Sequence, residues 1–182
     1  RTLKLPSDGD GTILTTNSSV GKILQVVSTT KTDTFSQSSL NDSTYSNDTG
    51  LNVTITPSSS SNKIRLSGSV VVSMDADNDG IGIVLFKNGS VVTGALGSSS
   101  GNRTPCMSMS YLGSTGGECE TLPFDFLDVA GGTSAITYGI RILFFSGGDS
   151  SSTVYMNRSQ ASDNYVYRPL SISTITAQEV AA

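Results

Sequence analysis

Between Lys63 and Met74, Ile64, Leu66, Val70, Val72 and Met74 fall on one parity, and Lys63, Arg65, Ser67, Ser69 and Ser73 on the other. Alternation with a period of two describes a β-strand with one face in a core and one in water. After Asp75 to Gly80 the chain runs from Ile81 to Phe86 with apolar residues on both parities, as in a strand buried on both sides. Lys87 then leads into Asn88-Gly89, the dipeptide best suited to the tight turn of a β-hairpin. This region predicts the centre of an antiparallel β-sandwich or barrel.

The flanking chain supplies more short strands. Leu24–Val27 and Thr32–Phe35 read as two of them, and residues 37–50 as a polar loop carrying Leu40 and Tyr45. Leu51, Val53 and Ile55 alternate with polar neighbours until Pro57 ends the strand. Gly94 to Pro105 predicts an exposed connection, Met107 to Tyr111 a weak strand, and Leu122, Phe124, Phe126 and Leu127 an apolar cluster. Ile136 to Phe144 reads as a second core strand with Thr153–Met156 as its hairpin partner, followed by Tyr165–Tyr167 and a closing strand at Leu170–Thr176. About ten short strands with turn signals between them favour a sandwich of jelly-roll type over a propeller.

Composition removes several classes of function. A chain of 182 residues can bury a real core, and only 14% of it is charged. Ser, Thr and Asn compete with the helical backbone for hydrogen bonds, so their abundance supports an all-β fold. The net charge is −4 and the 11 Lys and Arg are scattered, so no basic cluster exists to bind nucleic acid. No apolar run reaches the roughly 20 residues needed to span a bilayer, and no membrane insertion is expected. The chain opens at Arg1 without Met or a signal-peptide pattern, so it was cleaved or is part of a longer chain, the second being the preferred reading. Residues 1–20, with a Pro6 break and a Gly-Asp-Gly turn, read as a neck, linker or anchoring segment, and residues 21–182 as the sandwich domain.

Little in the sequence suggests reaction chemistry. Histidine is absent, which removes the commonest general base, the Ser–His and Cys–His nucleophile pairs, and most zinc sites. Glu118 and Glu120 share a parity, but beside a Gly-Gly turn they read as a solvated edge rather than a glycosidase pair. No enzymatic role and no cofactor is expected. Asp75-Ala76-Asp77-Asn78-Asp79-Gly80 matches the first half of an EF-hand calcium loop, yet Phe86 stands at the twelfth position, where a bidentate Glu is required. The stretch reads first as an acidic turn, with Asp75, Asp77 and Asp79 a weak calcium candidate. Cys106 and Cys119 either pair or remain thiols. Tyr45, Tyr111, Tyr165 and Tyr167 fall near loops or strand ends, where tyrosine suits partner contacts, and they are the candidate surface contacts.

Two stretches together resemble a known family. LKLPSDGDGTILTT (Leu3 to Thr16) followed by GKILQVVSTTKTDTFS (Gly21 to Ser36) resembles fibre and other virion structural proteins of tailed bacteriophages, particularly aquatic ones. The shared positions are Leu3, Leu5 and Pro6, then Gly11 to Thr16 with Ile13 in place of leucine, then Gly21 to Val27; the likeness fades after about Leu96. The resemblance implies a homotrimeric knob of jelly-roll or tumour-necrosis-factor-like topology on a neck, located in the virion after assembly in the host cytoplasm. It further implies contact with other virion proteins through residues 1–20 and, at the tip of a tail fibre, attachment to a host-surface glycan or protein. The alternatives are a capsid decoration or head-fibre protein, and a secreted carbohydrate-binding β-sandwich module. A threefold axis would also account for the apolar outer face of Ile81 to Phe86. No binding residues carry over, because the matching positions are architectural.

Overall fold

In the computed structural model, which describes residues 22–113, 118–148, 151–161, 163–166, 168 and 170–182, the alternating stretch Lys63–Met74 is a single strand of 12 residues. The strands in chain order are β1 (Ile23–Lys31), β2 (Phe35–Asn41), β3 (Thr44–Tyr45), β4 (Asn52–Ile55), β5 (Lys63–Met74), β6 (Asp79–Lys87), β7 (Ser90–Val91), β8 (Ser108–Leu112), β9 (Glu120–Val129), β10 (Ile136–Phe145), β11 (Ser151–Met156) and β12 (Ser173–Val180). They form two antiparallel sheets packed as a sandwich. The first runs β1-β12-β5-β9, with β11 and β2 extending it beside the far end of β5. In the second, β10 and β6 are central, flanked by β3 and β4 on one side and β7 and β8 on the other. With β2, β3, β7 and β11 set aside, the remaining eight strands read 1-8-3-6 in one sheet and 2-7-4-5 in the other. That is the order of a jelly roll. Residues 1–20, read as the neck, lie outside the described residues.

The alternation in β5 is the alternation of burial. Ile64, Leu66, Val70, Val72 and Met74 are all buried in the core between the sheets, together with Ile81, Ile83 and Leu85 of β6 and Ile140, Ile142 and Phe144 of β10. Ser73 is buried on the opposite parity, because the chain after β11 covers it and its hydroxyl donates to the Arg158 carbonyl at 2.7 Å. The outer face of β6 and β10 is also apolar. Val84, Phe86 and Leu143 pack there under Val91, Leu96, Cys106 and Phe145 of the same chain. The Arg141 guanidinium lies 4.0 Å from the centre of the Phe86 ring, and Tyr45 meets that ring edge-on at 5.6 Å. The double-sided apolarity of Ile81 to Phe86 is therefore satisfied within one subunit and needs no threefold axis.

Several expected boundaries move. Residues 32–34 are a turn between β1 and β2, and β2 occupies the segment expected to be a loop. β11 is not the hairpin partner of β10 but joins the other sheet, between β5 and β2. The acidic turn carries the chain from one sheet to the other. The Asn88-Gly89 hairpin is present, with both residues at positive φ (49° and 82°) between paired Lys87 and Ser90. The closing strand starts at Ser173 and extends to Val180.

β5 is long enough for two strands to share one of its edges end to end. β12 pairs with it from Lys63 to Ser69 and β11 from Val72 to Met74. The gap at Val71 is filled by Asn157 and Ser173. Val71 N–H donates to Ser173 Oγ at 3.0 Å, and the Val71 carbonyl accepts from Asn157 N–H at 3.0 Å. The buried Asn157 amide donates to the Lys31 and Asp33 carbonyls, both at 2.9 Å, and its oxygen accepts from the Ser173 hydroxyl at 2.6 Å. Its φ of 63° is one that asparagine tolerates better than most residues.

Two further polar groups lace the edges. Buried Glu179 accepts from Ser58 N–H at 2.7 Å, Ser58 Oγ at 2.8 Å, Asn62 Nδ2 at 2.6 Å and Gln25 Nε2 at 2.6 Å, which ties β12 to β1 and to the β4–β5 turn. Burial by itself would raise its carboxyl, but the hydrogen bonds from Asn62, Gln25 and Ser58 outweigh burial and hold it down at about 2. At the opposite edge Asp128 of β9 accepts from Lys87 Nζ and Tyr138 OH, each at 2.7 Å, joining the two sheets. Burial first, and the Asp128 carboxylate second, push the Tyr138 phenol far above its ordinary value.

Replacing Asn157 by Ala leaves the Lys31 and Asp33 carbonyls without their donors in a buried site, and a loss of about 3 kcal/mol is expected. Urea unfolding of wild type and Asn157→Ala, read as a shift in midpoint at constant slope, measures it. Glu179 sets an acid limit. Its folded value lies below the unfolded 4.5, so its contribution is complete above about pH 4.5 and is lost as pH falls toward about 2. Over that window stability is expected to fall by up to about 3 kcal/mol, and Glu179→Gln is expected to flatten the corresponding segment of a Tm-versus-pH curve.

Candidate functional site

Gly80 and Gly82 interrupt the apolar outer face of β6, and a depression surrounds them. Gly80 is paired across β10 to Phe145 and across β8 to Tyr111, and Gly82 is paired to Leu143 and Met109. The Phe145 ring lies directly on Gly80: a Cβ there would come within 1.8 Å of a ring carbon. A side chain on β6 is thus replaced by an aromatic plate from the next strand. Tyr111 (60% exposed) and Met109 (49% exposed) rise on the other side, alternating along β8 with Ser108, Ser110 and buried Leu112.

Two connections wall this floor into a groove of about 630 Å3. One is the excursion from Gly97 to Cys106, closed by Gly97 N–H to the Cys106 carbonyl at 3.1 Å and by the Ser100–Arg103 bridge, with Gly101 at φ 59° in its tip. It presents Asn102 and Arg103 at the rim. The other is the β2–β3 turn with Asp42 and Ser43. The hydroxyls of Ser43 and Thr104 lie 3.0 Å apart and join the two walls. Asp42 Oδ1 accepts from Ser146 N–H at 2.7 Å, which fixes the carboxylate at the edge of the groove. Cys106 also lines the groove, with burial pushing its thiol up; Cys119 is exposed on the segment before β9, and both are free.

Of the four candidate tyrosines, one reaches this site. Tyr111 forms its wall. Tyr45 stands against Phe86 at the edge of the second sheet, and Tyr165 is exposed on the connection between β11 and β12. Tyr167 lies outside the described residues. The acidic turn supplies one groove residue. Asp79 is buried and its Oδ1 accepts from Gly147 N–H at 3.2 Å. Asp75 extends the β5–β11 ladder: its N–H donates to the Thr153 carbonyl at 3.0 Å, and its carboxylate accepts from Ser152 Oγ at 2.7 Å and from Thr153 N–H. Burial would raise that carboxyl, but the Ser152 and Thr153 hydrogen bonds lower it overall. Asp77 is exposed. Among the described residues no three His, Cys, Asp or Glu side chains are grouped to hold a metal ion. Glu118 and Glu120 are both exposed.

The sequence does carry a signal for this groove. Glycines at Gly80 and Gly82, alternating with isoleucines inside a strand, mark a close approach of another group. Arg103, Asp42 and Phe145 carry none, since they reach the groove only through the packing of distant connections.

The outer face of the first sheet is the other conspicuous surface. Ile23, Val180, Lys63 and Val129 lie opposite one another across β1, β12, β5 and β9, and Val26, Gln178, Arg65 and Leu127 form the next row. Val26 (55% exposed) and Leu127 (53% exposed) stand in water with Ile23 and Val129. The rest of the face is Ser28, Thr30, Ser67, Ser69, Thr174 and Thr176, with the exposed Arg65–Asp125 pair at its middle.

No protein-family model matches the chain, and no curated protein matches it. Solved structures similar to it include the infectious bursal disease virus Gx strain (16% identity over 87% of this chain and 37% of that one, TM-score 0.41). The VP2 subviral particle of the same virus is similar at 16% identity, with the same coverage and TM-score. The T13 viral particle of that virus is similar at 18% identity over 89% of this chain and 36% of the other, TM-score 0.39. The chain spans little more than a third of those proteins, and a likeness this loose assigns it neither family nor role.

The glycine floor predicts a compensating pair. Gly80→Ala forces the Phe145 ring off its seat and is expected to lower stability by about 2 kcal/mol. In the Phe145→Ala background the same change should cost less than half as much. A double-mutant cycle of thermal unfolding reads the difference.

Proposed function

We infer that the chain is a non-enzymatic virion structural protein, a trimeric knob on a neck formed by residues 1–20 that contacts the host surface. The observation that carries this reading is the contrast between the two outer faces. The outer face of β6 and β10 is covered by the chain's own loops. The outer face of β1, β12, β5 and β9 keeps Ile23, Val26, Leu127 and Val129 in water. Exposed apolar side chains at both margins of a sheet face, with Lys63, Arg65 and Gln178 between them, mark an association surface, and three copies packed about an axis would remove them from solvent. The Leu3 to Val27 resemblance to phage fibre proteins supports the same assignment. Trimer association then leaves the groove between the Gly97–Cys106 excursion and the β2–β3 turn on the opposite sheet, open to a host.

Capsid decoration is the second reading, and the same sheet face favours it, with another virion protein in place of the neighbouring subunits. In light scattering at micromolar concentration the full chain is expected to have the mass of three copies, and Leu127→Asp to reduce it to one. A monomeric wild type that labels phage heads would replace the knob reading with decoration. Antibody raised against residues 21–182 should label virions at the tail; the absence of label on any virion would remove both readings.

A further inference from the structure

The geometry points to the groove over Gly80 and Gly82 as a binding site for a neutral pyranose sugar, with Tyr111 and Phe145 taking the apolar face of the ring. The inference rests on the reading of the chain as a surface-contact domain and names what that contact recognises. A pyranose presents one face of C–H groups and an edge of hydroxyls that both donate and accept. The groove has the complementary halves. Met109, Tyr111 and Phe145 form an apolar strip, and the rim carries an acceptor in Asp42, a donor in Arg103 and both in Asn102.

These polar groups are held but not used up. Asp42 is fixed through one oxygen by Ser146 N–H, and its second oxygen makes no hydrogen bond among the described residues. The Arg103 guanidinium makes neither an ion pair nor a hydrogen bond among them, while its backbone is pinned by the Ser100 bridge. The volume of about 630 Å3 falls within the roughly 300–1,000 Å3 of small-molecule sites. The lining holds two carboxylates, Asp42 and Asp79, to one guanidinium, Arg103, a balance that disfavours phosphate and polyanionic ligands and selects an uncharged hydroxyl-rich one. A peptide adding as a strand would join a sheet edge, whereas this groove lies on the sheet face above Gly80 and Gly82.

The test uses the full chain labelled with 13C at the methionine methyl groups, titrated with glucose, galactose, mannose, N-acetylglucosamine and their disaccharides. At least one is expected to move the Met109 methyl resonance saturably, with a Kd of about 1 mM, while the core Met74 and Met156 methyls stay in place. Tyr111→Ala should weaken that binding about tenfold. Tyr165→Ala, outside the groove, should leave it unchanged. Because Tyr111 is exposed, unchanged Met74 and Met156 resonances in Tyr111→Ala verify its fold. A Met109 methyl that responds to none of the sugars, or binding indifferent to Tyr111→Ala, overturns the site. The two inferences fail separately: sugar binding by a chain absent from virions keeps the groove and removes the knob, and labelled virions with a silent Met109 do the reverse.

Discussion

One buried asparagine holds the place where a sheet divides. A strand has two hydrogen-bonding edges, and β5 gives one to β9 from Lys63 to Val72 and splits the other between β12 and β11. Such a split leaves a backbone amide and carbonyl facing a gap too narrow for a strand, and an unpaired buried group there costs as much as a lost hydrogen bond. Asn157 and Ser173 close the gap because together they offer a backbone donor, a hydroxyl, and an amide with both functions. The same amide reaches the end of β1 and the turn into β2. Four strands that pair with different partners are therefore fixed to one another at a single point.

The jelly-roll order depends on that junction. β12 must lie between β1 and β5 for the chain's last strand to close the first sheet, and β11 must stop short of β12 on the same edge. The residue that enforces this sits in the connection between them, where no hydrophobic pattern would reveal it. The core needs only that the even-numbered residues of β5 point inward. The topology needs Asn157.

Much of the architecture was legible in the residues, for a physical reason. Burial acts on every second side chain of a strand, so the parity of Ile64 to Met74, the two apolar faces of Ile81 to Phe86 and the Asn88-Gly89 turn are written in the local sequence. Which sheet a strand joins is a long-range fact, and there the reading of β11 as a hairpin partner of β10 failed. β2 was missed because an edge strand of Ser, Gln and Asn needs no apolar face of its own beyond Phe35 and Leu40. The groove was half legible: Tyr111 was named among the contacts, and the glycines beside it were in plain view, but the plate that fills their place comes from the far end of β10. In the acidic turn, Asp75 and Asp79 serve the backbone of neighbouring turns and strands.

The pairing of β1 with β12 has a mechanical consequence. Lys22 accepts a hydrogen bond from Ala181 N–H at 2.9 Å, and from there β1 runs antiparallel to β12 as far as Lys31 and Ser173. A tether attached ahead of Lys22 and pulled along the strand axis loads the whole ladder in shear, so its hydrogen bonds share the force. Pulled across the sheet, the same tether opens them one at a time from Ile23. The domain is thus strong along one direction and weak along another, and the angle at which it is mounted decides how hard it can be pulled before it unravels.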